Sequence, residues 1–195
     1  ASVVMMIVWK WNPIQWFGWV MAVVSLVSLL NTGLYGLNEY AGPIAEDIRL
    51  NVTDYSVDEL QDAAEFYQAE ANRLSQQVER DSSGQLQYPD FESLAQQAIS
   101  GFDTLTYEKY HSIFAGDRTP VKELGWSKFF SGKGKTYVHV AITGEAAVNP
   151  QTPALGLPFT ICRHMAERMC IANDQDAAFA AFLACTSNDA IEFRY

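Results

Sequence analysis

Leu157-Pro-Phe-Thr-Ile-Cys-Arg-His-Met-Ala-Glu-Arg-Met-Cys-Ile-Ala-Asn-Asp-Gln-Asp-Ala-Ala-Phe-Ala-Ala-Phe-Leu-Ala-Cys185 decides how this chain folds. The stretch reads as two apolar helices joined by a short polar turn, with Pro158 in the first turn of the first helix. Three side chains able to bind a metal fall in it: His164, Glu167 and Asp176. A zinc peptidase puts two histidines at i and i+4 on one helical face, and the glutamate after the first polarises a zinc-bound water. Here those two positions are Arg163 and Glu167, and His164 stands where that glutamate belongs. Arg163 and Glu167 are spaced for an ion pair. An arginine there puts a cation where zinc would sit. His164 and Glu167, at i and i+3, can also share a metal that Asp176 joins. The competing reading is two packed helices with a polar face.

Around this pair the composition allows a real core. Apolar residues make up 49% of the 195, charged ones 18%. The net charge of −10 excludes a nucleic-acid partner, which needs a basic footprint. The three cysteines are an odd count and form no complete disulfide framework. Cys162, Cys170 and Cys185 read as small buried hydrophobes.

Upstream, Ile14 to Leu30 is seventeen residues without a charge. Continued to Leu37, the run is long enough to cross the ~30 Å of a bilayer core. Trp9, Trp11 and Trp16 mark one end, Tyr35 and Tyr40 the other, as interfacial belts do. A buried core helix is the other reading. Residues 1–37 are therefore taken as a membrane segment, with Ala1–Trp9 as the end of an earlier span, and 38–195 as an extramembrane domain. Lys10 flanks the N-terminal side, while Glu39, Glu46 and Asp47 outnumber Arg49 on the other, which by the positive-inside rule reads as a domain outside the cytoplasm. The opening inside an apolar stretch reads as a piece of a longer membrane protein, cut short at its C-terminus too.

Between anchor and helix pair, Ser56-Val-Asp-Glu59 is a capping box starting a helix at Val57. Leu60, Ala64, Tyr67, Ala71, Leu74 and Val78 carry it on at helical spacing to the turn Asp81–Gly84. Asp90 caps a second helix through Ser100, stopped by Gly101. Thr106–Phe114 reads as a third, with His111 as a surface or half-buried residue. Arg118 to Lys135 holds five cations interleaved with Trp126, Phe129 and Phe130. It reads as a solvated loop able to meet lipid headgroups or anions. Ser131-Gly-Lys-Gly-Lys-Thr136 fails as a phosphate loop, because Phe129 stands where the first glycine is needed and a strand follows. That strand is Thr136–Thr143, with Gly144-Glu145 as a turn or bulge and Ala146–Val148 as its extension.

These pieces resemble a known group. Tyr35-Gly-Leu-Asn-Glu39, Thr143-Gly-Glu-Ala-Ala-Val-Asn149, Leu157-Pro-Phe-Thr-Ile-Cys162, Ile171-Ala172, Ala177, Phe179 and Phe193-Arg-Tyr195 occur in the order found in an uncharacterised family of bacterial membrane-anchored proteins. That family is zinc-metallopeptidase-like, of the gluzincin class. The resemblance spans roughly residues 30–195. It implies an α+β fold: an N-terminal transmembrane helix, then a mostly helical zincin-like domain with a small β-sheet. It implies zinc as cofactor, a peptide or protein substrate, and a strand edge that aligns it, with Glu145 and Ala141 at the cleft. The departures fall on the chemistry. Arg163 replaces the first metal histidine, His164 the catalytic glutamate, Glu167 the second histidine and Asp176 the third ligand. Cys170 replaces a glycine and Ala141 a proline.

Three accounts follow. The chain is a pseudoenzyme whose Arg163–Glu167 pair fills the site; or it holds an atypical metal on His164, Glu167 and Asp176; or positions 163, 164 and 167 are misassigned and the natural protein carries the ordinary motif. A membrane-anchored metallopeptidase-like protein is the leading expectation. A non-catalytic scaffold using the 118–135 loop and the acidic helix 57–80 is its rival. A channel or transporter is disfavoured, since the spans show no intramembrane charge pair.

Overall fold

The computed structural model describes residues 12–34, 36–88, 90–108, 114, 116, 118–140 and 143–195. The expectations for Ala1–Trp11, Tyr35, His111 and Ala141 lie outside them.

Helix α1, Pro13–Leu34, is 22 residues long and rises about 33 Å. Its run has mean hydropathy 1.8, and no residue of it is buried in the protein. It is the one helix among the described residues long and apolar enough to cross a membrane. A 3₁₀ turn, Gly36–Tyr40, and the short helix α2, Ile44–Asp47, follow. Ile44 is buried in the main core, so the segment after α1 is seated on the domain.

Helix α3, Val57–Ser75, starts as its capping box dictates: Glu59 N–H donates to Ser56 Oγ, and the Glu59 carboxylate accepts from Ser56 N–H. It stops three residues short of Val78, which is buried in the following turn. Helix α4, Phe91–Glu108, is capped by Asp90, whose carboxylate accepts from Ser93 N–H at 2.8 Å. It does not end at Gly101. A Cβ there would stand 2.1 Å from Ala184 O, so the glycine is a close-crossing site rather than a stop. The expected third helix from Thr106 is not separate at its start, for Thr106–Glu108 continue α4.

The sheet has three strands in the order β1-β3-β2, with β1 Lys122–Glu123, β2 Tyr137–Val140 and β3 Glu145–Val148. Helix α5, Ser127–Ser131, lies between β1 and β2. The expected extension 146–148 is instead a returning antiparallel strand: Gly144, at φ +64°, makes the turn, and Tyr137 pairs with Val148. The parallel β1–β3 pair had no sequence signal, being two residues long.

Helices α6, Leu157–Arg168, and α7, Asp174–Thr186, form the expected pair. Ala177, Ala180, Ala181 and Ala184 on α7 are fully buried and let α4 and α6 approach closely. Ile161, Cys162 and Met165 of α6 join Leu94, Ala98 and Phe102 of α4 and Phe114 in one core. The Phe102 and Phe114 rings meet at 5.8 Å, a contact worth about 1 kcal/mol beyond its area. Helix α8, Ile191–Arg194, closes the described chain by burying Phe193. The architecture is α+β: mostly helical, with a small sheet and one long apolar N-terminal helix.

Candidate functional site

Every polar side chain of the site hangs on α6 or faces it. His164 and Glu167 lie one turn apart on its inner face and are 2% and 5% exposed. His164 Nδ1 is 2.8 Å from Glu167 Oε2. Against an ionised carboxylate that nitrogen carries the proton. Strand β2 supplies the cover. The Tyr137 ring stacks on the His164 imidazole, centroids 3.7 Å apart and planes 25° apart. Burial, and next the Glu167 carboxylate, push the Tyr137 phenol up, with Arg163 opposing. His139, two residues along β2, is pulled down by burial first, with Glu167 opposing and the charges of His164 and Arg168 adding to the fall.

Arg163 does two things. Its Nη2 donates to Asp174 Oδ1 at 2.9 Å, and its Nε stands 3.7 Å from Glu167 Oε1. The expected i,i+4 ion pair is present, but the closer partner is Asp174, at the first position of α7. Arg163 Nε is buried and has no hydrogen-bond partner among the described residues. Asp176 goes elsewhere: its Oδ2 accepts from Ile44 N–H at 3.3 Å. It lines a cavity of about 370 Å³ with Asn38, Gly42, Asp47, Cys170 and Asn173. The structure thus brings His164 and Glu167 together and joins Asp176 to the segment after α1. Glu145 is exposed; its carboxylate accepts from Lys122 Nζ, which holds it below the usual carboxylate range.

Among the described residues no three of His, Cys, Asp and Glu converge as metal ligands. The donors on α6 do not fit a zinc ion as they stand. The guanidinium of Arg163 lies against the carboxylate that would have to bind the metal, and that carboxylate is already shared with His164. What the arrangement does is hydrogen-bond a buried carboxylate to His164, set the Arg163 cation beside it and cover the imidazole with an aromatic ring.

Sequence reasoning missed four residues. Tyr137 and Asp174 reach the site from other elements, with no spacing to announce them. Arg168 ties α6 to the sheet, donating from Nε to Gly144 O at 2.9 Å and from Nη1 to Thr119 O at 2.6 Å. Asn149, 2% exposed, holds the segment after α5. Cys170 is exposed rather than buried, while Cys162 and Cys185 are buried as expected. Burial, then the neighbouring Cys185 thiol, push the Cys162 thiol well up. Cys170 sits at φ +67° just past α6. Ile171 N–H donates to Ala166 O and Cys170 N–H to Glu167 O, a Schellman stop whose left-handed position favours glycine. This accounts for the glycine of the resembled pattern.

Fold and site together define a mostly helical α+β domain behind an apolar N-terminal helix, with a closed polar cluster on its central helix pair. The chain belongs to the family described as Protein of unknown function (DUF3810), whose model matches residues 2–195. No curated protein and no solved structure matches it.

Proposed function

We propose that this protein is a membrane-anchored, metallopeptidase-like domain that does no peptide chemistry and serves as a scaffold or interaction subunit of a bacterial cell membrane. Residues 1–37 are the anchor and 38–195 the extramembrane domain. The observation that carries the reading is the position of Arg163, between Glu167 and Asp174. It supplies positive charge where the resembled enzymes hold zinc. The exposure of α1 supports the anchor. A 22-residue apolar helix with no buried residue has to find lipid or another chain.

The competing proposal is peptide hydrolysis at a zinc site, as the resemblance implies. One observation favours it: β2 is an edge strand of the described sheet and lies against His164, so an extended peptide has a strand to pair with. The donor set on α6 argues against it. Added zinc separates the two. The scaffold reading expects no change in Tm on adding zinc and none on adding a chelator. A rise of several degrees with zinc, reversed by chelator, would overturn it. Peptide mass mapping across residues 157–176 tests whether Arg163, His164 and Glu167 are the encoded residues. The charge balance around the apolar run supports an orientation with the domain outside the cytoplasm. Cys170, the exposed thiol, should then react with an impermeant maleimide on intact cells. Labelling only after lysis would reverse the orientation.

A further inference from the structure

We propose that Trp126–Lys135 is a docking platform that lays the extramembrane domain flat against an anionic lipid surface. The proposal rests on the membrane-anchor reading. In a chain of net charge −10, this segment has three lysines and no acid. The other cations of the stretch are engaged: Arg118 Nε donates to Asp103 at 2.8 Å, and Lys122 pairs with Glu145. Among the described residues no carboxylate pairs with Lys128, Lys133 or Lys135, and all three are exposed.

Beside them stand apolar rings that the fold does not bury. Trp126 is 83% exposed and Phe129 58%. Lys133 Nζ lies 5.2 Å from the Phe129 ring centre. Trp126 is also held at φ +59°, in the left-handed region where L side chains are strained. Folding gains little from this tryptophan and holds it outward in an unfavourable backbone. Tryptophan beside lysine is the composition of a surface that rests at headgroup depth, ring in the interface and ammonium groups toward lipid phosphates.

The segment is not a loose loop. Asn149, buried beneath it, donates from Nδ2 to Ser131 Oγ at 2.8 Å and to Lys135 O at 3.0 Å. Its N–H donates to Thr136 O at 2.8 Å. These bonds fix the end of α5 and the return to β2, so little ordering remains to oppose docking. The tether is short as well. Ile44 is seated in the core ten residues after Leu34, and ten residues reach at most about 35 Å. The domain is thus held beside the bilayer at high effective concentration. An acidic protein surface would satisfy the lysines but leaves the exposed Trp126 and Phe129 unexplained, so lipid is the partner the observations favour.

The test is amide exchange of the full chain in lipid nanodiscs, one set wholly zwitterionic and one with roughly a third anionic lipid. Expected is exchange over 126–135 slowed on the order of threefold or more in the anionic discs. High salt should remove the effect, and so should K128E/K133E/K135E, whose exposed positions leave the fold intact. Trp126→Ser should weaken it by itself. Equal exchange in both disc types would sink the docking and leave the anchor standing. A chain stripped from native membranes by alkaline carbonate would sink the anchor, and the docking with it. Protection seen in native membranes but absent in pure-lipid anionic discs would point to a protein partner and overturn the proposal.

Discussion

The cluster on α6 and the Trp126–Lys135 segment both set charge beside aromatic rings, and they treat it in opposite ways. At α6 every charge is answered inside the protein: Glu167 by His164 and Arg163, Arg163 by Asp174, with Tyr137 laid over the imidazole. At 126–135 three lysines and two rings are exposed, and among the described residues no carboxylate pairs with the lysines. Buried charge left unpaired is costly, so an inward cluster closes on itself and is used by the fold. Exposed cations cost the fold little, so an outward cluster is free for a partner. On the proposed reading the residues that look catalytic are structural ones, and the stretch that reads as a solvated loop is the better candidate for contact.

Substitutions can break this contrast, beginning with Glu167→Ala. It would remove the acceptor of the His164 Nδ1 bond and the carboxylate that stands 3.7 Å from the buried Arg163 Nε, and should cost about 3 kcal/mol in urea unfolding. A loss below about 0.5 kcal/mol, normal for a surface change, would show that the cluster is not structural. Asn149→Ala comes next. It removes three side-chain hydrogen bonds beneath the outward segment. A loss of about 2 kcal/mol is expected, with faster amide exchange confined to 127–136.

A finer pair of variants sharpens the contrast. Cys170 and Trp126 both occupy left-handed backbone, at φ +67° and +59°. Replacing either with glycine relieves the strain, for an expected gain of about 0.5–1 kcal/mol. The two should part in function: Cys170→Gly leaves lipid docking unchanged, whereas Trp126→Gly weakens it while the protein becomes more stable. If Trp126→Gly destabilises instead, the tryptophan serves the fold and the platform reading loses its support.

Local signals were legible in the sequence and long-range ones were not. The capping box at Ser56, the cap at Asp90 and the α6–α7 pair are written in neighbouring residues, and each appears where it was read. Gly101 was misread as a helix stop, because its reason is the Ala184 carbonyl, 83 positions away. The strand after Gly144 was misread as an extension, since a glycine turn and a bulge look alike before pairing is known. In the site, spacing found His164 with Glu167 because one turn of helix joins them. It grouped Asp176 with them, yet that carboxylate turns to Ile44, a contact no local pattern encodes. Tyr137 and Asp174 were invisible for the same reason.

Zinc content tests the closed cluster most directly. The protein would be purified from the membranes of its native host, without added metal or chelator, and analysed for zinc per chain. A cluster closed by Arg163 predicts none. Stoichiometric zinc would contradict it, for a metal would then stand where Arg163 and Glu167 now meet.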